Sequence, residues 1–252
     1  MKKYVVYTAL FGDYDELVEI PNSNELCCDY ICFTDDPHLE SDSWEIKVIV
    51  SMFPPNIMNR MYKILPHKFL SQYDASLYLD ANFIIKKDLT ELIVKYLKSS
   101  DFLALKHPQR DCVYQEGLAC IGANKANFKS VEEQLMRYIS VGFPAGYGLS
   151  ANGVLLRAHN KSHMKELMND WWLEVKNYSK RDQLSLQFLL WNRGIELKYM
   201  NENLVDTNPY FMLMPHKKGN VMFHYKWYKK LLYVIRVLVY YPKYYCNVFR
   251  LT

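Results

Sequence analysis

The sequence predicts an α/β domain built on a mostly parallel sheet, on three observations. Strand-like and helix-like segments alternate along the N-terminal half, as parallel pairing requires. The strand-like segments are continuous apolar runs rather than alternating ones, which is the pattern of strands buried on both faces. The length of 252 residues, half of them hydrophobic and 23% charged, suits one large core and excludes a disordered chain.

Taken in order, residues 3–9 form the first β-rich run. It stops at Gly12-Asp13 without a small-residue cleavage site, so it reads as a buried strand and not as a signal peptide. Asp29–Thr34 is a second run, closed by the acidic turn Asp35-Asp36-Pro37, and residues 45–50 are a third. Residues 56–73, entered after Pro54-Pro55, read as one helix. Ala75–Leu79 is a short buried strand ending at Asp80, followed by a helix at 88–97 and a strand at 101–105. In the less regular second half, residues 125–140 read as a helix, 143–148 as a Gly/Pro loop and 153–157 as a strand. Met164, Leu167, Met168, Trp171, Trp172 and Val175 recur at helical spacing and mark the clearest helix of the chain. Residues 181–191 are a further helix. No repeat or low-complexity linker divides the chain, so residues 1–225 are expected as one domain and 226–252 as a tail.

Charge and cysteine usage narrow the function classes. From Thr207 onward there are eight Lys/Arg and no acid, so the net charge of +4 leaves a body of −4. A mildly acidic body argues against nucleic acid as a partner, and the basic tail argues for an anionic one. Cys27, Cys28, Cys32, Cys112, Cys120 and Cys246 show no CxxC spacing and are expected as free thiols in a reducing cytoplasm. The longest apolar stretch, residues 231–241, contains Arg236 and is too short to span a bilayer.

The densest chemistry lies at Asp80-Ala81-Asn82. Ligands of open α/β sheets bind outside the carboxyl ends of strands, and Asp-x-Asn offers two oxygens on one side for a hard cation such as Mn²⁺ or Mg²⁺. The competing reading is a surface turn. Asp182 and Gln183 open a helix, where an acid is favoured by the dipole whether or not it has a catalytic role. His107, Arg110, Tyr114 and Glu116 crowd a polar stretch just past a strand, a candidate acceptor site or a solvated loop. His224 is a candidate metal ligand, with His216 as the rival. His159 and His163 lack the glutamate of a zinc-protease motif. Gly146-Tyr147-Gly148 lacks a preceding buried strand, and no Walker loop or Gly-x-Ser-x-Gly elbow is present.

The segment SLYLDANFIIKKDLTEL resembles the Asp-x-Asp region of GT-A glycosyltransferases of the glycogenin and lipopolysaccharide type, with Asn82 in place of the second acid. YTALFGDYD, YICFTDD, the run from Arg60 to His67, LALKHPQRDCVYQE and RDQLS together resemble a glycosyltransferase-like family once called domain of unknown function 616. Plant mucilage-related proteins and bacterial surface-polysaccharide enzymes share that domain. The resemblance spans about residues 3–227. It implies a GT-A-like, Rossmann-like fold and transfer of a sugar from a nucleotide diphosphate, UDP by family habit, to a surface polysaccharide or lipid-linked glycan. It also suggests retention of configuration.

Carried onto this chain, the resemblance implies nucleotide-sugar contacts from Thr8, Ala9, Asp13, Tyr14, Arg60, Lys63, Asp80, Asn152 and Gly153. It implies a divalent metal on Asp80, Asn82 and His224, and a catalytic pair at Asp182 and Gln183. Rival readings are a metal-dependent lipid or glycan hydrolase using Asp80, His107 and His224, and a non-catalytic nucleotide-sugar-binding module. Residues 226–240 divide into a basic face (Lys226, Lys229, Lys230, Arg236) and an aromatic-apolar face. Such a helix either lies on an anionic membrane or packs on the domain. The expected location is cytoplasmic, peripheral at the inner face of the plasma membrane.

Overall fold

A computed structural model describes residues 3–123, 125–203 and 208–217. In chain order the strands are β1 (Tyr4–Leu10), β2 (Asp29–Thr34), β3 (Glu45–Val48), β4 (Ala75–Leu79), β5 (Phe83–Ile85), β6 (Phe102–Lys106), β7 (Ser150–Arg157), β8 (Lys198–Tyr199) and β9 (Phe211–Leu213). The helices are α1 (Pro55–Ile64), α2 (Pro66–Phe69), α3 (Thr90–Leu97), α4 (Val113–Gly122), α5 (Phe128–Ser140), α6 (Ser162–Asn177) and α7 (Leu186–Arg193).

Among the described residues seven strands form one sheet in the order β3-β2-β1-β4-β7-β6-β8, and β5 and β9 form a separate antiparallel ribbon. Within the large sheet β7 runs against both its neighbours, while the other pairs are parallel. Apolar side chains on both faces explain the continuous runs. Tyr7, Ile31, Tyr78 and Leu155 face α1, α6 and α7, where Met58, Trp171 and Leu190 cover them. Val6, Leu77, Leu103 and Leu156 face α3 and the ribbon, meeting Leu92, Phe83 and Phe211. The mixed, mostly parallel α/β sheet flanked by helices is the predicted class and is consistent with a GT-A-like domain.

Because β7 is reversed, its first residues lie beside the carboxyl ends of β4 and β6. Its register against β6 jumps from Ala104↔Leu155 to Leu105↔Ala151. Residues 152–154 therefore bulge out of pairing with β6 while Val154 stays opposite Leu79 of β4. The bulge holds Asn152-Gly153 against the end of β4.

Several elements differ from the sequence expectation. The helix expected over 56–73 ends at Ile64 and restarts as α2. Pro66 has no N–H to continue the ladder and forces Leu65 out of the helical region, to φ −110 and ψ 48. The helix expected from 181 begins as a 3-10 turn, Asp182–Leu184, before α7. The helix expected from 125 starts at Phe128, where Asn127 accepts a hydrogen bond from the Ser130 N–H. Helix α4 was not legible in a stretch that read as polar loop. It packs so close to α5 that a Cβ on Gly117 would stand 2.5 Å from Leu135 Cδ1.

His159 precedes α6 and is a core residue, bonded to Ser76 Oγ at 2.9 Å and to the Leu70 carbonyl at 3.0 Å. Burial lowers its pKa to about 4, so it is neutral. Of the five described cysteines, all but Cys27 are buried. Cys246, His224 and residues 226–252 lie outside the described residues. Among the described residues no helix is long and apolar enough to cross a membrane.

Trp171 links this core to the 3-10 turn. It is fully buried and its Nε1–H donates to the Asp182 carbonyl at 3.0 Å. Trp171→Ala should cost about 3–5 kcal/mol of unfolding free energy in a urea titration. A loss under about 1 kcal/mol would show that the surroundings collapse into the space.

Candidate active site

Strand β4 delivers Asp80 to the carboxyl edge of the sheet, with its amide bonded to the Gly153 carbonyl at 2.9 Å. Two residues back on the strand, Tyr78 donates its hydroxyl to Asp80 Oδ1 at 2.7 Å. Helix α1 crosses this edge and presents Arg60 and Lys63, one turn apart and therefore on one face. Lys63 Nζ lies 3.3 Å from Asp80 Oδ1 and 2.9 Å from Asp182 Oδ2, while Arg60 Nε lies 3.2 Å from Asp182 Oδ1. One buried ammonium thus joins the carboxylate at the strand end to the carboxylate of the 3-10 turn.

The side chain of Asp182 does not cap a helix; no such bond forms at the turn. It is 3% exposed and Lys63 is 2% exposed. Burial by itself would raise the Asp182 pKa, but Arg60, Lys63 and Arg181 together hold it well below the usual carboxylate range. Burial by itself would lower the Arg60 pKa, but Asp182 and Asp80 raise it above the ordinary value. Tyr78 is pushed well above the usual phenol range, first by burial and then by the Asp80 charge. It stays a neutral donor to that carboxylate.

The bulge brings Asn152 and Gly153 to the same place. An added Cβ on Gly153 would lie 3.2 Å from Asp80 Oδ2 and 3.0 Å from the Phe83 ring, so a side chain here would push the carboxylate and the ring back by a few tenths of an ångström. Asn152 is buried; its Oδ1 accepts from Ser150 Oγ at 2.6 Å, and its Nδ2 has no hydrogen-bond partner among the described residues. Gln183 Nε2 bonds the Ser150 carbonyl at 3.3 Å, beside the same bulge. Thr8, Leu17, Trp44, Leu79, Asp80 and Phe83 line a small cleft, into whose wall Thr8 brings a buried hydroxyl without a partner. Ala9 offers its backbone alone: its methyl lies in the core and its carbonyl accepts from Asn59 Nδ2 at 2.6 Å. Asp13 and Tyr14 are exposed at the rim, and the Tyr14 ring lies 5.0 Å from that of His216.

A hard cation would find oxygens here, but not a complete cage. Asp80 Oδ1 is taken by Tyr78 and Lys63, which leaves Oδ2. Asn82 donates its Nδ2 to the Met214 carbonyl at 2.7 Å, and its buried Oδ1 has no hydrogen-bond partner. These two oxygens fit the one or two protein ligands that Mg²⁺ or Mn²⁺ takes beside phosphates. Among the described residues no group of three or more His, Cys, Asp or Glu could hold a metal. His216 bonds the Asp15 carboxylate through Nδ1 at 2.9 Å, as an oriented histidine does.

Of the four expected acceptor residues, three cluster. Arg110 Nε bonds Glu116 Oε2 at 2.6 Å, and His107 Nε2 lies 3.8 Å from the same oxygen. Burial lowers the His107 pKa, against the Glu116 charge that raises it. Tyr114 corrects the expectation of a loop side chain: it is buried on α4 and donates to the Phe143 carbonyl at 2.7 Å. Helix α4 packs on the 3-10 turn, where Arg181 lies close enough to act on both Asp182 and Cys120. Two contributors were missed in the sequence. Tyr78 carried a readable signal, its two-residue spacing from Asp80 along a strand. Arg181 carried none beyond standing next to Asp182.

A family model, TOD1/MUCI70, glycosyltransferase-like domain, matches residues 41–203. The chain belongs to that family. A glycosyltransferase-type function follows from membership in the TOD1/MUCI70 glycosyltransferase-like family. No significant match is found among curated proteins. The matched stretch of this TOD1/MUCI70 domain contains Arg60, Lys63, Asp80, Asn152 and Asp182, and it leaves out the first strand with Thr8.

The buried ion pairs fix the pH behaviour of this TOD1/MUCI70 domain. Asp182 has a depressed folded pKa, so its contribution to stability is present above the unfolded carboxyl pKa of about 3.9 and is lost as pH falls below it. Asp182→Asn leaves the buried Lys63 and the half-buried Arg60 beside a neutral amide, at a cost of about 3–5 kcal/mol at neutral pH. Denaturant titrations of both proteins should show a difference that is constant from about pH 8 to 5 and shrinks below about pH 4. A difference that does not depend on pH down to acid unfolding would mean that Asp182 is not held as an anion.

Proposed function

We propose that this domain transfers a sugar from a nucleoside-diphosphate donor to a surface polysaccharide or lipid-linked glycan acceptor. The observation that carries the reading is the pair of cations, Arg60 and Lys63, held beside Asp80 at the carboxyl edge of the sheet. Glycosyl transfer builds negative charge on the departing diphosphate, and fixed cations at that point lower its energy in the transition state more than in the ground state. Arg60 and Lys63 are oriented before the donor arrives, because Asp182 holds both.

Charge balance favours a divalent cation as well. Arg60, Lys63 and Arg181 against Asp80 and Asp182 leave a single positive charge, less than the charge that a diphosphate brings to a site already partly dry. Asp80 Oδ2 and Asn82 Oδ1 would hold Mn²⁺ or Mg²⁺, with His224 or His216 as the further ligand. Such an ion supplies Lewis-acid stabilisation of the leaving phosphates. A useful general base needs a pKa near the working pH, so the strongly ionised Asp182 reads as an orienting anion for the cations and the donor sugar. Thr8 and Ala9 at the end of β1, with Asp13 and Tyr14 at the rim, would face the nucleoside. Asn152, Gly153 and Gln183 would face the sugar, and His107, Arg110 and Glu116 the acceptor.

Asp80→Ala should fold, since Lys63 keeps Asp182 as its partner, and should lose turnover by about a hundredfold or more. A thermal-shift titration with UDP should raise the melting temperature of the parent more with Mn²⁺ than without it, and that increment should vanish in the variant. Unchanged turnover in Asp80→Ala would overturn the assignment. Binding of nucleotide sugar without turnover in the parent would favour a binding module, and activity without nucleotide would favour a hydrolase.

The basic tail gives the same enzyme a route to its acceptor. Lys226, Lys229, Lys230 and Arg236 would hold it at the anionic inner face of the plasma membrane, each contributing about 1 kcal/mol. Replacing the four with Gln should release the protein from anionic vesicles at low salt and leave UDP binding unchanged. Equal vesicle binding by both proteins at low and high salt would refute the tail as the anchor.

A further inference from the structure

Behind the site lies a buried charge that takes no part in the proposed transfer. Arg157 closes β7 and is 0% exposed. Its partners among the described residues are Tyr7 Oη at 2.5 Å from Nη2 and Met168 Sδ at 3.4 Å from Nη1, and its Nε has no hydrogen-bond partner. Among the described residues Tyr7 and Tyr78, and no carboxylate, contribute to its electrostatic surroundings. A guanidinium buried without a counter-ion is costly, and packing alone would be served better by an apolar side chain.

The contacts lead from this cation to the site. Tyr7 receives the Arg157 N–H on its oxygen and spends its own proton on the Lys63 carbonyl, at 2.9 Å. A hydroxyl that accepts from a cation is a stronger donor in turn. The Lys63 carbonyl needs such a donor. It lies in the last turn of α1, whose final carbonyls have no partner within the helix, and the chain breaks at Leu65-Pro66 just beyond. The Tyr7 ring also packs edge-on against Tyr78 at 5.2 Å; Tyr78 in turn bonds Asp80 and carries the Lys63 ammonium 5.1 Å from its ring centre.

We propose that Arg157 is a positioning residue for sugar transfer: through Tyr7 it fixes the end of α1, and so the place where Lys63 meets Asp80 and Asp182. The proposal rests on Lys63 as a cation for the leaving diphosphate, but its geometric part can be tested apart from that reading. In Arg157→Met the apolar chain still fills the core. The Lys63 carbonyl then loses its strengthened donor, and the α1 end relaxes.

The test combines crystal structures with kinetics for the full chain and its Arg157→Met, Arg157→Lys and Tyr7→Phe variants. Arg157→Met should fold but melt below the parent: losing an unpaired buried charge offsets the lost hydrogen bond, and the loosened Lys63–Asp182 pair lowers the melting point. Its Lys63 Nζ should stand beyond ~4 Å from Asp182, outside ion-pair range. The kcat should fall roughly tenfold with little change in KM, the mark of a group that acts in the transition state. Tyr7→Phe should reproduce both effects, and Arg157→Lys should restore them in part. In a Lys63→Met background Arg157→Met should cause no further loss, since residues acting through one another are not additive. Lys63 contacts that stay intact in the Arg157→Met crystal, or a full additive loss in the Lys63→Met background, would overturn the proposal. Should Arg157→Met fail to fold, Tyr7→Phe keeps the ring, deletes only the relaying hydroxyl and decides the question. If the parent turns over no nucleotide sugar, the reading of the function fails, and the crystal structures still decide whether Arg157 positions Lys63.

Discussion

The site depends on one buried ammonium. Lys63 has left water almost completely, and removing an ion from water costs several kcal/mol even after the protein relaxes. A carboxylate at about 3 Å returns roughly 5 kcal/mol at an effective dielectric of ~20. A single partner would therefore barely balance the desolvation of both ions. Lys63 has two, Asp80 from the sheet and Asp182 from the turn, and Asp182 has Arg60 as a further cation. The arrangement holds together as a set: each carboxylate would be a poor resident without the cations, and each cation without the carboxylates.

That set also explains the surrounding backbone. Arg60 and Lys63 meet the carboxyl edge of the sheet because α1 crosses it, and α1 ends where Pro66 breaks the ladder. Asp182 meets the same edge because Trp171, on the buried side of α6, holds the Asp182 carbonyl. Asn152 and Gly153 arrive through the bulge in the one reversed strand of the large sheet. A helix, a 3-10 turn and two strands are thus tied together at one place. The groups are oriented before any ligand arrives, which is what electrostatic catalysis requires.

The polar groups divide into two kinds. Those with complete hydrogen bonding, such as His159 between Ser76 and Leu70, hold the core. Among those with an atom left over, Asn82 Oδ1, Asn152 Nδ2 and Thr8 Oγ1 lie around Asp80 and the cleft beside it, while others, such as Thr90 Oγ1, Asn160 Oδ1 and Ser179 Oγ, lie elsewhere in the described residues. Buried polar atoms without partners are uncommon in folded proteins. Their presence beside Asp80, Lys63 and Asp182 accords with a place that receives a polar ligand.

Local pattern was enough for the parallel strands. Asp29–Thr34 and Ala75–Leu79 stand where their apolar runs predicted them, since a strand buried on both faces must be apolar throughout. The periodicity of Met164 to Val175 likewise matched the buried side of α6. The position of Asp80 at a strand end followed from the same local reading, and so did the family resemblance that the TOD1/MUCI70 match bears out. What the sequence could not supply was the pairing. Nothing local announces that Lys63 reaches residues 17 and 119 positions further on, that residues 152–154 bulge, or that Tyr114 turns inward while Glu116 pairs with Arg110. The composition of a segment sets whether it is buried and with what period, because burial is a property of each side chain against water. Which ions meet is set by how distant segments pack, so tertiary structure alone decided that the carboxylates and cations of this chain converge on one edge of its sheet.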